Sequence, residues 1–95
     1  MRDYEMVLVM SPGISDENLP GAIDKVNQFI ISKGGAITEV APWGRRKLAY
    51  PIKRFAEGNY VMTRFKSDAK VVKELDATLR LSEDVLRHLI VRQEA

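Results

Sequence analysis

The chain has 95 residues, of which 45% are hydrophobic and 29% charged, with a formal net charge of +2. Because this length supports one hydrophobic core, we expect a single domain over residues 1–95. The absence of cysteine excludes disulfides, thiolate zinc sites and thiol nucleophiles. No apolar run approaches the roughly 20 residues that cross a bilayer, and the start of the chain lacks the pattern of a signal peptide. We therefore expect a cytoplasmic protein without a membrane partner.

The charge is divided unevenly along the chain. Residues 1–44 carry three basic and six acidic side chains, a net of −3, whereas residues 45–95 carry twelve and seven, a net of +5. This asymmetry indicates that the second half meets an anionic partner.

The first elements are predicted from a short apolar run followed by a helical period. Residues 4–10 predict a strand, central in its sheet, that ends at Ser11-Pro12-Gly13. Ser15-Asp16-Glu17 supplies an N-cap and first-turn acids for a helix to about Lys33, and Gly34-Gly35 ends it. The inner face of this helix is predicted to carry Leu19, Ala22, Ile23, Val26, Phe29 and Ile30.

A hairpin is predicted next. Residues 36–52 predict a long strand that is interrupted at Pro42-Trp43-Gly44. Residues 55–59 predict a turn into a third strand over residues 60–66. The inward parity changes at the interruption, so we expect a bulge or bend there. The inward residues are predicted to be Ile37 before it and Leu48, Tyr50 and Ile52 after it.

The last elements complete a β-α-β-β-α-β order. Ser67-Asp68 is predicted to cap a helix to about Arg80, with Val71, Val72, Leu75 and Leu79 on its inner face, and Ser82-Glu83-Asp84 turns into a strand over residues 85–92. Two split βαβ units with right-handed crossovers give an α+β ferredoxin-like plait, in which a four-stranded antiparallel sheet carries both helices on one face.

Such a sheet leaves one face without helices. If alternate residues of the first and third strands point to the helices, the open face carries Val7, Val9, Tyr60 and Met62, with Arg64 and Arg87 at its margins. An apolar patch of this kind is typical of a partner surface. The alternative is that long side chains shield these strands.

The basic segment from Gly44 to Arg54 is the most distinctive part of the chain. It carries five cations and no acid in eleven residues, and its apolar residues alternate as in a half-buried strand. Cations held on a strand suit a polyanion such as a phosphate backbone. The alternative is a solvated edge strand, on which lysine and arginine deter edge-to-edge aggregation. The cations concerned are Arg45, Arg46, Lys47, Lys53 and Arg54.

This segment also carries a family resemblance. Gly44-Arg45-Arg46-Lys47-Leu48-Ala49-Tyr50-Pro51-Ile52 resembles the signature of the bacterial ribosomal protein S six family, from the small subunit. The resemblance extends over essentially the whole chain. It includes Met1-Arg2-Asp3-Tyr4-Glu5, Gly34-Gly35-Ala36, Gly58-Asn59-Tyr60, the spacing of Leu75, Leu79 and Arg80, and the strand Val85 to Arg92.

The resemblance implies a protein without catalysis, cofactor, metal or small-molecule substrate. It implies a structural component of the small ribosomal subunit that pairs with ribosomal protein S eighteen and binds the central domain of small-subunit rRNA. The five cations of the basic segment would neutralise phosphates, and the open face and long second strand would meet the partner protein. Arg2, Tyr4, Arg87 and Arg92 would lie near the sheet edge and add RNA or partner contacts. Some family members have an acidic C-terminal extension, whose functions we do not carry over to a chain that ends Gln93-Glu94-Ala95.

Three other classes of protein share features with this sequence. An RNA-recognition motif has the same topology, but residues 57–65 misplace the aromatics of its third strand. A small-molecule regulatory domain would use the turn at Ser11-Pro12-Gly13, which is also an ordinary turn, and stabilisation by amino acids or nucleotides would favour that class. An enzyme is disfavoured because the single histidine, His88, lies in a strand, and the acid pairs Asp16/Glu17 and Glu83/Asp84 are explained by a helix start and a turn. The sequence also has no glycine-rich phosphate loop.

Overall fold

The predicted topology is confirmed. A computed structural model describes residues 1–93, and Glu94 and Ala95 of the expected C-terminal end lie outside the described residues. The four strands form one antiparallel sheet in the order β2-β3-β1-β4, so β1 is central, as predicted. The elements are β1 (Arg2–Met10), α1 (Leu19–Ser32), β2 (Ala36–Ile52), β3 (Phe55–Ser67), α2 (Ala69–Leu81) and β4 (Val85–Gln93).

The main core lies between one face of the sheet and the two helices. Alternate residues of β1 and β3 point to this side because paired residues such as Leu8 and Val61 share a face. Phe65 is the largest of the fully buried side chains described, and Tyr4 stacks on it with ring centroids 5.5 Å apart. The helices contribute predicted inner-face residues, of which Ile23, Ile30, Leu75 and Leu79 are buried.

Helix α1 begins later than predicted. Ser15 does not cap the helix; it closes a separate turn, in which the Asn18 amide donates to the Ser15 hydroxyl at 3.3 Å and the Leu19 amide donates to its carbonyl at 2.9 Å. The helix starts at Leu19 because Pro20, which has a fixed φ and no N–H, suits the first helical turn. The acids at 16 and 17 therefore precede the helix. Its end is as predicted, with Gly34 at a φ of +91°.

Helix α2 begins after Asp68, close to the predicted position. Asp68 is the N-cap residue, but its side chain makes no capping hydrogen bond. The neighbouring Ser67 hydroxyl donates to the Asp68 carbonyl at 3.2 Å. The start of α2 was therefore predicted from the sequence, but the expected capping hydrogen bond does not form.

The hairpin of β2 and β3 differs from the prediction at its turn. The chain reverses at Lys53 and Arg54, which have φ values of +49° and +74°, and Ile52 pairs with Phe55 across this two-residue loop. Positive φ at both central residues matches a type I′ turn. The turn predicted over residues 55–59 is wrong, because those residues already belong to β3.

The irregularity predicted at Pro42-Trp43-Gly44 is confirmed as a bulge. The register with β3 shifts between Pro42 and Gly44, yet the strand continues through it. Gly44 has a φ of +84°, a conformation that a side chain at this position would strain. The interruption is therefore local.

The hairpin extends past the end of β1, whose last residue, Met10, pairs with Asn59. We call residues 44–59 the hairpin arm. A second apolar cluster anchors this arm to the face of the sheet opposite the helices. It is formed by Val9, Leu48 and Leu86, with Ile52, Phe55 and Tyr60 packed against it.

Tyr50 departs from the predicted alternation. Leu48 is 8% exposed and Ile52 is half-buried, but Tyr50 is 59% exposed. The register of β2 with β3 shifts between Lys47 and Ile52, so the regular in-out alternation does not hold over this stretch. The prediction that Tyr50 points inward is therefore wrong.

Candidate nucleic-acid interface

The five cations of the basic segment all lie exposed on the hairpin arm. Arg45, Arg46 and Lys47 follow the bulge on β2, and Lys53 and Arg54 form the turn at the tip. The arm contains one carboxylate, Glu57. It is thus a projecting ribbon with a strong excess of positive charge.

The arm presents its cations on both faces. Arg45 pairs with Asn59 and Lys47 with Glu57, which places both on the face that continues the helix side of the sheet. Arg46 pairs with Gly58 and lies on the opposite face. An anionic partner that contacts all of them must therefore wrap around the arm or approach its tip and edge.

Arg45 is held near the loop that follows β1. Its guanidinium donates to the Pro12 carbonyl at 3.4 Å and lies 4.0 Å from a Glu57 carboxylate oxygen. Both contacts are long, and about half of each side chain of the ion pair is exposed. Exposed pairs of this kind contribute little stability, so Arg45 retains the capacity to bind an anion.

Trp43 directly precedes the arm and lies on its open-face side, over Tyr60. Its ring stacks on Tyr60 with centroids 6.5 Å apart and an interplanar angle of 13°, and the Arg46 guanidinium carbon lies 5.6 Å from the Trp43 ring centre. Trp43 remains 44% exposed. The bulge thus holds an indole at the surface with a guanidinium over its ring.

The other cations suggested by the resemblance divide between the two ends of the sheet. Arg87, on edge strand β4, donates from Nη1 to the Tyr50 hydroxyl at 3.2 Å and so lies beside the arm. Arg2 begins β1, and Arg92 pairs with Tyr4 near that same end. At about 3.3 Å per residue, Arg2 lies roughly 26 Å from Met10, the arm end of β1. Arg2 and Arg92 are therefore not part of the cluster on the arm.

The expected role of Tyr4 as a surface contact is corrected by the structure. The resemblance places it near the sheet edge as an RNA or partner contact, but β1 is central and Tyr4 is only 7% exposed, packed in the main core on Phe65. Its ring is not available to stack on a base. We therefore remove Tyr4 from the candidate residues.

The open face carries the predicted apolar residues, but two of them are covered. Val9 and Met62 are 5% and 6% exposed, while Val7 and Tyr60 are half-buried. Val9 is shielded by the second cluster. The apolar surface that remains continues onto β4, where Leu89 and Val91 are 59% and 46% exposed. These two were missed, although their alternation in the last strand could have indicated them.

Arg64 lies on the open face between two acids. Its guanidinium contacts Glu5 at 3.2 Å and Glu39 at 3.6 Å. Arg64 and Glu5 are paired across β3 and β1, and Arg64 and Glu39 across β3 and β2. This part of the face is therefore charge-balanced within the protein.

His88 has a structural contact. Its Nε2 lies 2.6 Å from an Asp76 carboxylate oxygen on α2, and Arg80 contacts the other oxygen at 3.1 Å. The hydrogen bond with His88, assisted by the charge of Arg80, lowers the pKa of Asp76 against the opposing effect of burial. Over residues 1–93 the structure forms no cluster of three acidic or histidine side chains that could hold a metal ion. His88 thus joins the edge strand to α2.

Comparisons with known proteins identify the family. The family model described as Ribosomal protein S6 matches residues 3–92. The Small ribosomal subunit protein bS6 of Caldanaerobacter subterraneus is 43% identical over 94 residues and that of Thermoanaerobacter pseudethanolicus 44%, with 99% of both chains covered in each case. The crystal structure of 30S ribosomal protein S6 from Thermotoga maritima has a TM-score of 0.90 at 30% identity, covering 97% of this chain and 87% of that chain.

The chain belongs to the bacterial ribosomal protein S6 family. It is therefore a protein of the small ribosomal subunit, and its family consists of structural proteins of the cytoplasmic ribosome, not enzymes. The family assignment replaces the RNA-recognition motif, the regulatory domain and the enzyme as interpretations of the fold. Among the described residues, neither helix is long and apolar enough to span a bilayer.

Proposed function

We propose that this protein binds the central domain of small-subunit rRNA together with ribosomal protein S eighteen, with the hairpin arm supplying the main phosphate contacts. The observation that carries this proposal is the charge of the arm, where five exposed cations stand against one carboxylate. The arm extends past the end of β1 and its five cations are exposed, so they are accessible to a phosphate backbone.

The cations of the arm can explain affinity for RNA, but they cannot explain recognition of a particular RNA sequence. Phosphate contacts position a protein on nucleic acid but read no bases. Specificity for RNA comes instead from shape and unpaired segments. A second protein that extends the surface would supply part of that recognition, which is why we propose a composite site and weak binding by this chain alone.

The partner protein is proposed to use the open face and the exposed edge of β4. Val7 and Tyr60 are accessible there, and Leu89 and Val91 continue the apolar surface that sequence reasoning placed on β1 and β3 alone. Val9 and Met62 lie on the same face but are buried, so they pack under the exposed residues and would not contact the partner directly. Arg2 and Arg92, at the far end of the sheet, would contact a separate RNA segment or the partner.

The alternative is that the arm cations only keep edge strand β2 from pairing with other chains. This alternative predicts no gain of RNA affinity from the arm. Salt dependence separates the two, because each phosphate contact contributes about −0.9 to the slope of log affinity against log salt concentration.

The test is binding to a central-domain rRNA fragment over a salt series, with and without ribosomal protein S eighteen. Five arm contacts predict a slope of roughly −4 to −5 and tight binding only when the partner is present. Equal binding with and without the partner would indicate an autonomous RNA-binding module. The absence of binding in both cases would contradict the proposal.

A further inference from the structure

We propose that Trp43 and Arg46 form a stacking site for one unpaired nucleobase of the bound RNA. This inference rests on the proposed function and deepens it, because it adds a contact to a base where the arm cations contact phosphates. Its basis is the bulge on β2 that displays the indole.

The bulge holds Trp43 in a defined orientation. The register shift between Pro42 and Gly44, with Gly44 at a φ of +84°, places the Trp43 ring over Tyr60. Tyr60 is itself half-buried against the second apolar cluster. The indole therefore lies on a fixed support, and a base that stacks on it loses little additional side-chain freedom.

The Trp43 indole is exposed to an extent that is unusual for tryptophan. Trp43 keeps 44% of its surface accessible although it is the only tryptophan of the chain. Tryptophan is highly buried on average, so an ordered indole that remains this accessible suits a contact with another molecule. A planar, exposed ring accepts any of the four bases, since each presents a π-face.

The surrounding charge favours a nucleotide over an apolar peptide. The Arg46 guanidinium lies over the Trp43 ring, 5.6 Å from its centre. A base seated on this ring thus brings an adjoining phosphate close to Arg46, while Arg45 and Lys47, on the other face of the strand, are reached by RNA that passes the strand edge. Guanidinium planes also stack on bases, so Arg46 supplies a second stacking surface next to the indole.

The site differs from the base-stacking surface of an RNA-recognition motif. In that fold the aromatic residues that stack bases lie on the central strands of the open face. Here the exposed ring lies on edge strand β2, while Tyr60 of β3 is beneath it. A single base at the edge suits an unpaired nucleotide that flanks an RNA helix.

The test measures rRNA affinity of the complex with ribosomal protein S eighteen for three variants. Trp43→Ala is expected to weaken binding about 5- to 150-fold, the range found when one stacked base loses its aromatic partner. Trp43→Phe is expected to retain most of the affinity, and Leu81→Ala, at an 86% exposed position on α2, serves as the matched control. The salt slope should stay unchanged, since no phosphate contact is removed.

Fluorescence supplies a second readout. Because Trp43 is the only tryptophan of this chain, the emission of the isolated chain reports on this site alone. An oligoadenylate at high concentration is expected to quench the emission of the isolated chain, whereas inorganic polyphosphate, which has charge but no bases, is expected to leave it nearly unchanged.

Two results would overturn the inference: wild-type rRNA affinity in Trp43→Ala, or equal quenching by polyphosphate and oligoadenylate. Loss of affinity for ribosomal protein S eighteen in the absence of RNA, with rRNA affinity intact, would assign Trp43 to a protein interface and also overturn it. The proposed function fails separately, if the wild-type complex does not bind rRNA or if its binding is insensitive to the arm cations.

Discussion

The hairpin arm and the rest of the protein, which we call the body, differ in their balance of positive and negative side chains. In the body, Arg64 lies between Glu5 and Glu39, and further ion pairs join Lys66 to Asp3 and Lys33 to Glu74. In the arm, five cations share one carboxylate. Balanced charges are satisfied within the protein, whereas the excess on the arm suits an external anion. The location of unbalanced charge, more than the net charge of +2, is therefore the basis on which we propose that the arm meets RNA.

The two regions also differ in what stabilises them. The body rests on the core between sheet and helices, while the arm depends on the small cluster around Leu48 on the opposite face. A projecting ribbon without such an anchor would not hold its cations in place. The following variants test whether anchoring and charge are separable properties of the arm.

The largest expected effect is on the anchor. Leu48→Ala removes a side chain that is 8% exposed and packed with Val9 and Leu86, so we expect the free energy of unfolding to fall by about 2–3 kcal/mol. Leu81→Ala, at an 86% exposed position, is the control and should change it by less than about 0.5 kcal/mol. Urea unfolding measures both. Equal effects of the two variants would show that the arm is not anchored through Leu48.

The next effect concerns the tip of the arm. Arg54 has a φ of +74°, a conformation that costs a non-glycine residue about 1–2 kcal/mol. Arg54→Gly relieves this cost but adds flexibility to the unfolded chain, so we expect a net gain of about 1 kcal/mol in stability. The same variant should reduce the salt slope of rRNA binding by about 0.9. Arg54→Lys should change neither property appreciably. A destabilised Arg54→Gly protein would contradict the strained turn.

The smallest effect lies in the body, at the contact of Asp76 with His88. The pKa of Asp76 is lowered in the folded protein, so its ionised form contributes stability above its unfolded pKa of about 3.9, and this contribution is lost as the pH falls through the folded pKa. Because the Asp76 side chain is 39% exposed, we expect Asp76→Asn to cost only about a few tenths of a kcal/mol at pH 7. Unfolding measured from pH 7 down into the acid range should show this difference shrinking as the pH falls through the folded pKa of Asp76. A constant difference would assign it to packing instead of charge.

The topology and the core were predictable from the sequence because they follow from hydrophobic period. The short apolar run of β1 and the helical spacing of Leu75 and Leu79 are local signals that the tertiary structure confirms. The bulge was also expected, but its parity argument is wrong, because Ile37 packs on the helix-side core whereas Leu48 is buried in the second cluster on the opposite face.

The details of the candidate site were less predictable. The turn was missed because Lys53 and Arg54 are not turn-forming residues, whereas Gly58 falsely marked one. Gly58 instead permits close packing, since a Cβ there would lie 2.4 Å from a methyl carbon of Val9. Tyr4 was misassigned although its strand was predicted to be central, because the resemblance was followed instead of the alternation that places Tyr4 on the helix side with Met6 and Leu8. The stack of Trp43 with Tyr60 and Arg46 depends on the pairing register of β2 with β3, which could not be predicted from the sequence.

The most direct test of the central claim compares two pairs of substitutions in the complex with ribosomal protein S eighteen. Arg45→Ala with Arg46→Ala removes charge from the arm, and Lys33→Ala with Lys66→Ala removes the same charge from ion pairs in the body. The measurement is the salt dependence of binding to the central-domain rRNA fragment. We expect the arm variant to reduce the slope by about 1.8 and to weaken binding on the order of 50-fold at 0.1 M salt, and the body variant to leave both nearly unchanged. Equal losses in the two variants would contradict the claim that unbalanced charge on the arm directs RNA binding.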